Sequence, residues 1–558
     1  MSNTDNKPKY RSLEYNNCCK AALWHSVGIN IEDMEKPKIA IINSSGDFAP
    51  CFAHLDGIAK VLKEDLKAAG ALPFELRTFA PVDFLFGGHH GGYINGGRDL
   101  ISYDIEAGVE GAVYDGMICL ASCDKTLPAQ LMAAARVNIP TIVIACGYQP
   151  AGVYKGQRFD IEDLFIQSGY YAMGKVSKEE IDEMSRNAIM GPGVCQGIGT
   201  ANTMHVACEA LGLAMPGSTP VLANSPKMWD TVHAAAKRIV ELVNEDVRPR
   251  DLLTEANFEN AVKTVLSISG STNSIKHLQA VATSAETDID VFAMFERFAS
   301  DVPLLVGIKP NGDHSIDDME MAGGTAAVMK QLESILRTEA VTVSGQTVGE
   351  FLKDVTVRDE TIIRPMDRAL NYRPGIIMAH GNIAKSFGLI KLMVEDEVKP
   401  DYFKGPAKVF YSREEAMIAA HEGRIEKGDV VVVCGLGFTG TPGMGDVSPL
   451  LFALDGLGLR QHIAIITDGH ASGLCNAALM SIDITPEAAK GGELGLLKDG
   501  DIIEIDAIAR SIHAEVSDEE FAERRKDPPH VFGASGEKGW LKIVEERVKP
   551  LTTGGVLV

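Results

Sequence analysis

The sequence predicts an α/β protein: a large N-terminal α/β domain on a mostly parallel sheet, followed by a smaller C-terminal β-rich, barrel-like domain. Three observations carry this. Lys38–Asn43, Gly116–Ala121 and Thr141–Cys146 are nearly continuous apolar runs of strand length, separated by stretches with helical spacing. At 558 residues the chain is too long for one hydrophobic core. After residues 370–390 the texture changes, and short β-rich runs joined by Lys-Gly-Asp-type turns replace long helices, so the domains are expected at 1–380 and 381–558.

Each element has a local reason. Residues 1–36 form a polar lead-in with a short helix around Cys18–Trp24. The strand Lys38–Asn43 runs into a Ser44–Asp47 loop that delivers Cys51, and Leu55, Ile58, Val61, Leu62 and Leu66 then share one helical face. Phe74–Phe79 alternates as a strand and leads to Asp83 and a glycine-rich loop over 87–97, with a helix expected over Asp99–Gly108. Gly116–Ala121 is the next strand; the loop Ser122–Thr126 follows, then a helix with Pro128 in its first turn and Leu131, Met132 and Ala135 at helical spacing. Beyond the Thr141–Cys146 strand the pattern turns helical. Ser177 and Glu180 form a capping box, Met190–Cys195 a loop, and Met204–Leu213 an apolar helix. Residues 225–300 read as amphipathic helices broken by a Gly-Ser-Thr-Asn loop after Ile268, and Asp317–Thr338 as a further helical stretch. Ala407–Tyr411, Asp429–Cys434, Ile463–Thr467 and Ile502–Asp506 are the expected strands of the second domain.

A net charge of −23 argues against nucleic acid and anionic membranes as partners. It also means that an acidic substrate would need a local cation, which a bound metal supplies. No signal-peptide core and no long apolar run occurs, so the reading is a cytoplasmic protein. Its ten cysteines lack disulfide-framework spacing and are expected as thiols, buried or metal-bound.

The chemistry concentrates in loops. Cys123, Asp124 and Lys125 set a soft ligand, a hard ligand and an amine side by side where α/β sheets place their ligands. Cys51 and Cys195 sit in similar Gly- or Pro-containing loops, but far apart in sequence, so spacing alone leaves buried structural thiols as the competing reading. The run GLGFTG over 435–440 matches a dinucleotide fingerprint, yet Pro442 and Gly443 follow where a helix should begin, and no βαβ unit is expected there.

Cys123 to Ala133 (C-D-K-x-x-P-A-x-x-x-A) resembles the first signature of the dihydroxy-acid dehydratase and 6-phosphogluconate dehydratase family, which includes sugar-acid dehydratases. The resemblance covers essentially the whole chain, through Cys51, Cys195, Ser269–Asn273, Pro442–Met444 and a second signature at Thr467–Gly473. It implies a 2Fe–2S cluster on Cys51, Cys123 and Cys195, with one iron position open to substrate. It also implies magnesium on Asp83, Asp124, Asp446 and a carbamylated Lys125, with Ser472 as proton acceptor. Three departures stand out: Asp446 where many relatives carry Glu, His470 where the usual residue is Arg, and His89-His90 where many carry His-Glu.

The implied activity is dehydration of a 2,3-dihydroxy carboxylic acid to a 2-oxo acid, by a homodimer or homotetramer. Sugar acids such as xylonate, arabinonate or gluconate are one substrate class, which the departures slightly favour. The alternative is the 2,3-dihydroxy-3-methylbutanoate of branched-chain amino-acid synthesis. An iron–sulfur redox or sensor protein is the reading from another class; the hard-metal residues and a base argue against it.

Overall fold

The computed structural model describes residues 9–392, 401–475 and 478–557. Its first sheet is β1 (Lys38–Asn43), β2 (Leu72–Arg77), β3 (Gly116–Ala121) and β4 (Thr141–Ala145), all parallel in the order β2-β1-β3-β4. β1 and β3 are buried along their whole length, which is why they read as unbroken apolar runs. The helices Leu55–Ala68 (α1), Gly92–Ala112 (α2) and Thr126–Val137 (α3) make the connections. The Ser177 capping box is formed with Glu180. A small hairpin, β5 (Gly152–Tyr154) and β6 (Gln157–Phe159), lies beyond β4.

From Ile376 the chain closes an eight-stranded barrel: β7 (Ile376–Gly381), β8 (Ala384–Lys391), β9 (Tyr402–Phe410), β10 (Val430–Val433), β11 (Ala464–Thr467), β12 (Leu479–Thr485), β13 (Ile502–Asp506) and β14 (Ser511–Ala514). β10, β11 and β12 are buried along their whole length, whereas β9, β13 and β14 present one face to solvent. Val430 and Val432 fill the barrel core, whereas Val431 and Val433 join the large core shared with the helices of the first region.

Four expectations need correction. The residues 92–97 of the glycine-rich loop are helical, as the first turns of α2. Their glycines serve close approach, not a loop: a Cβ on Gly92 would lie 2.4 Å from the Pro442 carbonyl, and one on Gly443 1.9 Å from that of Gly92. Asp317–Thr338 is broken at Gly323, whose φ of 124° ends one helix before the next begins. The strands at 376–381, 384–391, 479–485 and 511–514 were not expected. Finally, the region around 435–440 does contain a βαβ unit: β10, the helix Ser448–Gly456 and β11, with β10 and β11 parallel. Its helix nonetheless starts eight residues past Gly440, after turns through Pro442 and Gly443, unlike a dinucleotide fingerprint.

Candidate active site

Parallel strands direct their following loops to one edge of a sheet. Here two sets do so toward a common cleft. From the first sheet come Cys51 after β1, Asp83 after β2, and Cys123, Asp124 and Lys125 after β3. Cys195 joins them because its loop hydrogen-bonds to the chain beyond β4: Val194 N donates to Gly147 O at 2.9 Å, and Gly193 N to Cys51 O at 2.7 Å. From the barrel come Arg413 after β9, Asp446 after β10, and His470 and Ser472 after β11.

The cleft between them has a volume of ≈ 710 Å³, and every predicted site residue except Lys125 lines it. Lys125 lies beneath, fully buried, its Nζ 3.6 Å from both Asp83 Oδ2 and Asp124 Oδ2. That amine and Asp83 Oδ1 are buried without hydrogen-bond partners. Burial raises the Asp83 carboxyl to about 7 against the pull of Lys125, and Asp124 and Asp446 push it the same way. Burial opposes the Lys125 charge, but the carboxylates and Cys123 outweigh it and hold its pKa above the usual lysine value.

Burial raises the pKa of all three thiols. Burial raises Cys51 to about 11. Cys123 is raised further by burial, then by Asp124, Asp83, Cys195 and Cys51, and Cys195 by burial, Glu162, Asp124 and Cys51. Left to themselves these sulfurs stay protonated, and a positive metal centre is what would make thiolates of them. Cys119, Cys146, Cys208, Cys434 and Cys475 are buried free thiols away from the cleft wall.

On the barrel side the loops are stitched together. Ser472 N donates to Ser448 Oγ at 2.8 Å, and Ser448 donates through both N and Oγ to Asp446 Oδ1, at 2.9 and 2.5 Å. Leu474 N points at Ser472 Oγ from 3.3 Å. Asn273 Nδ2 donates to Ala471 O at 3.1 Å, and Lys276 pairs with buried Asp483 at 2.8 Å, tying the barrel to a helix of the first region. Below Ser472, Asp468 accepts from the backbone of Gly435, Leu436 and Ala488. His470 is buried off the cleft wall, and burial, Lys276 and Lys125 keep it neutral. His89 reaches Glu537 at 3.1 Å, while the side chain of His90 lies outside the described structure.

The residues fit the implied cofactors on two grounds. Asp83 Oδ1 is buried without a hydrogen-bond partner among carboxylates, a setting for a hard cation once Lys125 no longer carries its own positive charge. Three thiols line the same cleft, a soft donor set. Among the described residues no three such side chains converge on a single ion point. That holds for the carboxylates as well as the thiols; the three cysteines would hold a cluster as separate ligands from three loops rather than as one ion site. Arg413 and Ser448 were not anticipated. Arg413 opens a polar helix and looks like a surface residue in sequence.

Comparison with known proteins spans both regions of the chain. Residues 36–351 match the family model described as dihydroxy-acid/6-phosphogluconate dehydratase N-terminal, and 361–555 match its C-terminal counterpart. Proteins named dihydroxy-acid dehydratase align over most of their length. That of Caldicellulosiruptor bescii is 37% identical, over 96% of this chain and 97% of its own. That of Caldanaerobacter subterraneus subsp. tengcongensis is 38% identical over 90% of each, and that of Methanobrevibacter smithii 36% over 96% and 97%.

Proposed function

The chain belongs to the dihydroxy-acid/6-phosphogluconate dehydratase family, and we propose that it is a hydro-lyase turning a 2,3-dihydroxy carboxylic acid into a 2-oxo acid. The observation that carries this reading is one cleft where three thiols, a cluster of carboxylates with a buried lysine, and Ser472 face one another. Cys51, Cys123 and Cys195 would hold a 2Fe–2S cluster; Asp83, Asp124, Asp446 and carbamylated Lys125 would hold Mg2+. When bound, these groups supply Lewis acidity at the substrate's oxygens.

The chain's own residues supply the proton chemistry. Ser472 Oγ takes the proton from C2. The Leu474 N–H at 3.3 Å is a donor to the charge it carries as alkoxide, and the bond from its backbone to Ser448 fixes it relative to Asp446. The C3–oxygen bond breaks, the hydroxyl leaves and with one proton becomes water, and the resulting enol gains a proton at C3 while its C2 hydroxyl gives one up, which yields the 2-oxo acid. Nothing is oxidised or reduced overall. Phe84, Leu85, Phe165 and Leu474 wall the cleft with apolar surface, which lowers its dielectric.

Among the described residues no helix is long and apolar enough to cross a membrane. We place the enzyme in the cytoplasm as a homodimer or homotetramer, divided at 380 into a cofactor-carrying unit and one carrying the serine. The test is a panel of dihydroxy and sugar acids assayed for 2-oxo acid after anaerobic cluster reconstitution. Product from at least one of them is expected; none from any, with iron and sulfide bound, would overturn the reading.

A further inference from the structure

Arg413 is the one lysine or arginine among the described residues lining the main cleft, and it also lines a second chamber of ≈ 260 Å³. Asp446 is shared by the two cavities as well. The guanidinium is held in place: one nitrogen donates to Asp446 O at 3.1 Å, another to Glu414 at 2.9 Å. The second chamber therefore opens beside the proposed magnesium end of the cleft.

Its walls differ in kind from the apolar cleft. Arg413, Glu414 and Thr441 line it together with a bank of rings, Tyr411, His530 and Phe532. His530 stacks on Tyr411 with centroids 4.2 Å apart at 14°, and Phe532 meets His530 edge-on at 4.8 Å. The bank is built in. Gly435 has φ of 79°, and a Cβ there would lie 2.5 Å from Phe532, so the ring rests directly on the loop after β10. Residues 527–538 form neither helix nor strand and carry His530 and Phe532 inward while Val531 stays 74% exposed.

We propose that this chamber is a distal substrate subsite that holds the hydroxylated chain of a sugar acid, with Arg413 as the residue that selects it. The inference rests on the dehydratase reading, because it places C1 to C3 of the substrate at the cofactor end and the remaining carbons past Arg413. A polyol presents C–H faces and O–H groups together. The rings cover the first, and the guanidinium and Glu414 carboxylate donate to and accept from the second. A branched alkyl tail would instead desolvate Arg413 and Glu414 without replacing their hydrogen bonds, which is how polar sites reject apolar analogues.

The test uses the reconstituted holoenzyme with two variants. Arg413→Gln removes the cation. Gly533→Trp fills the chamber from a position whose Cβ has no neighbour within 4 Å and whose backbone is not left-handed. The readouts are kcat/KM for xylonate relative to 2,3-dihydroxy-3-methylbutanoate, and xylonate binding by calorimetry. In both variants the ratio should fall by about tenfold or more and xylonate binding should weaken in parallel. An unchanged ratio, or wild-type protein that does not bind xylonate, overturns the subsite. Failure of the dehydratase reading is distinct: neither acid is turned over, yet calorimetry on wild type and Gly533→Trp still decides the chamber.

Discussion

The two sides of the cleft use the same device for different chemistry. The first sheet and the barrel each aim the carboxyl ends of parallel strands at it, β1 to β3 from one side and β9 to β11 from the other. The sheet side offers thiols, two carboxylates and a buried lysine, drawn from loops anchored in the large core. The barrel side offers a hydroxyl, one carboxylate and a guanidinium, fixed by hydrogen bonds between loops. Of the three departures from the family pattern, Asp446 and His470 fall on the barrel side and His89-His90 in the first region. The difference teaches a division of labour: we propose that the sheet side holds cofactors and the barrel side handles protons and substrate identity.

The largest expected effect comes from breaking the sheet side. Cys123→Ser should bleach the brown, sulfide-containing protein and abolish turnover; a colourless, zinc-loaded wild type that is fully active would end the cluster assignment. Lys125→Arg cannot be carbamylated, and turnover should disappear while the visible absorption stays. Wild-type turnover of this variant at low magnesium would remove Lys125 from the metal site.

A structural contrast sharpens the comparison. Lys276 and Asp483 are both buried and join a helix of the first region to β12. Lys276→Met leaves Asp483 uncompensated and should cost about 3–5 kcal/mol, read as a lowered unfolding midpoint in denaturant. A change within experimental error would mean that this ion pair adds nothing net to holding the two halves together.

The smallest effect is a pH dependence. Burial pushes the Asp83 carboxyl up to about 7 while Lys125 is a free amine, and a cation binds its deprotonated form. Apparent magnesium affinity should therefore rise as pH rises toward 7 and level off above it, which calorimetry at several pH values would measure. A flat profile from pH 5 to 8 would exclude Asp83 as a ligand.

How much of this was legible in sequence follows from what each side is made of. β1 and β3 could be read to the residue because strands buried on both faces are unbroken apolar runs. The start of α2 could not, since glycines that permit contact with Pro442 and Gly443 look like loop glycines until the partner is seen. The helix Ser448–Gly456 hid the barrel's βαβ unit because its residues are nearly all apolar and show no amphipathic period. Cys51, Cys123, Cys195, Asp83, Asp124, Lys125, Asp446 and Ser472 came from resemblance to a family, not from spacing. Arg413 had no local signal, because facing a cavity is a tertiary property.

The central claim is tested most directly by Ser472→Ala. The anaerobically reconstituted variant should keep its visible absorption, its iron and sulfide, its magnesium and its substrate affinity. It should lose about 10²–10⁴-fold in turnover and fail to exchange a C2 deuterium with solvent. An intact Ser472→Ala enzyme that still turns over and exchanges would put the base elsewhere, and loss of the cluster in this variant would contradict the division between the two sides.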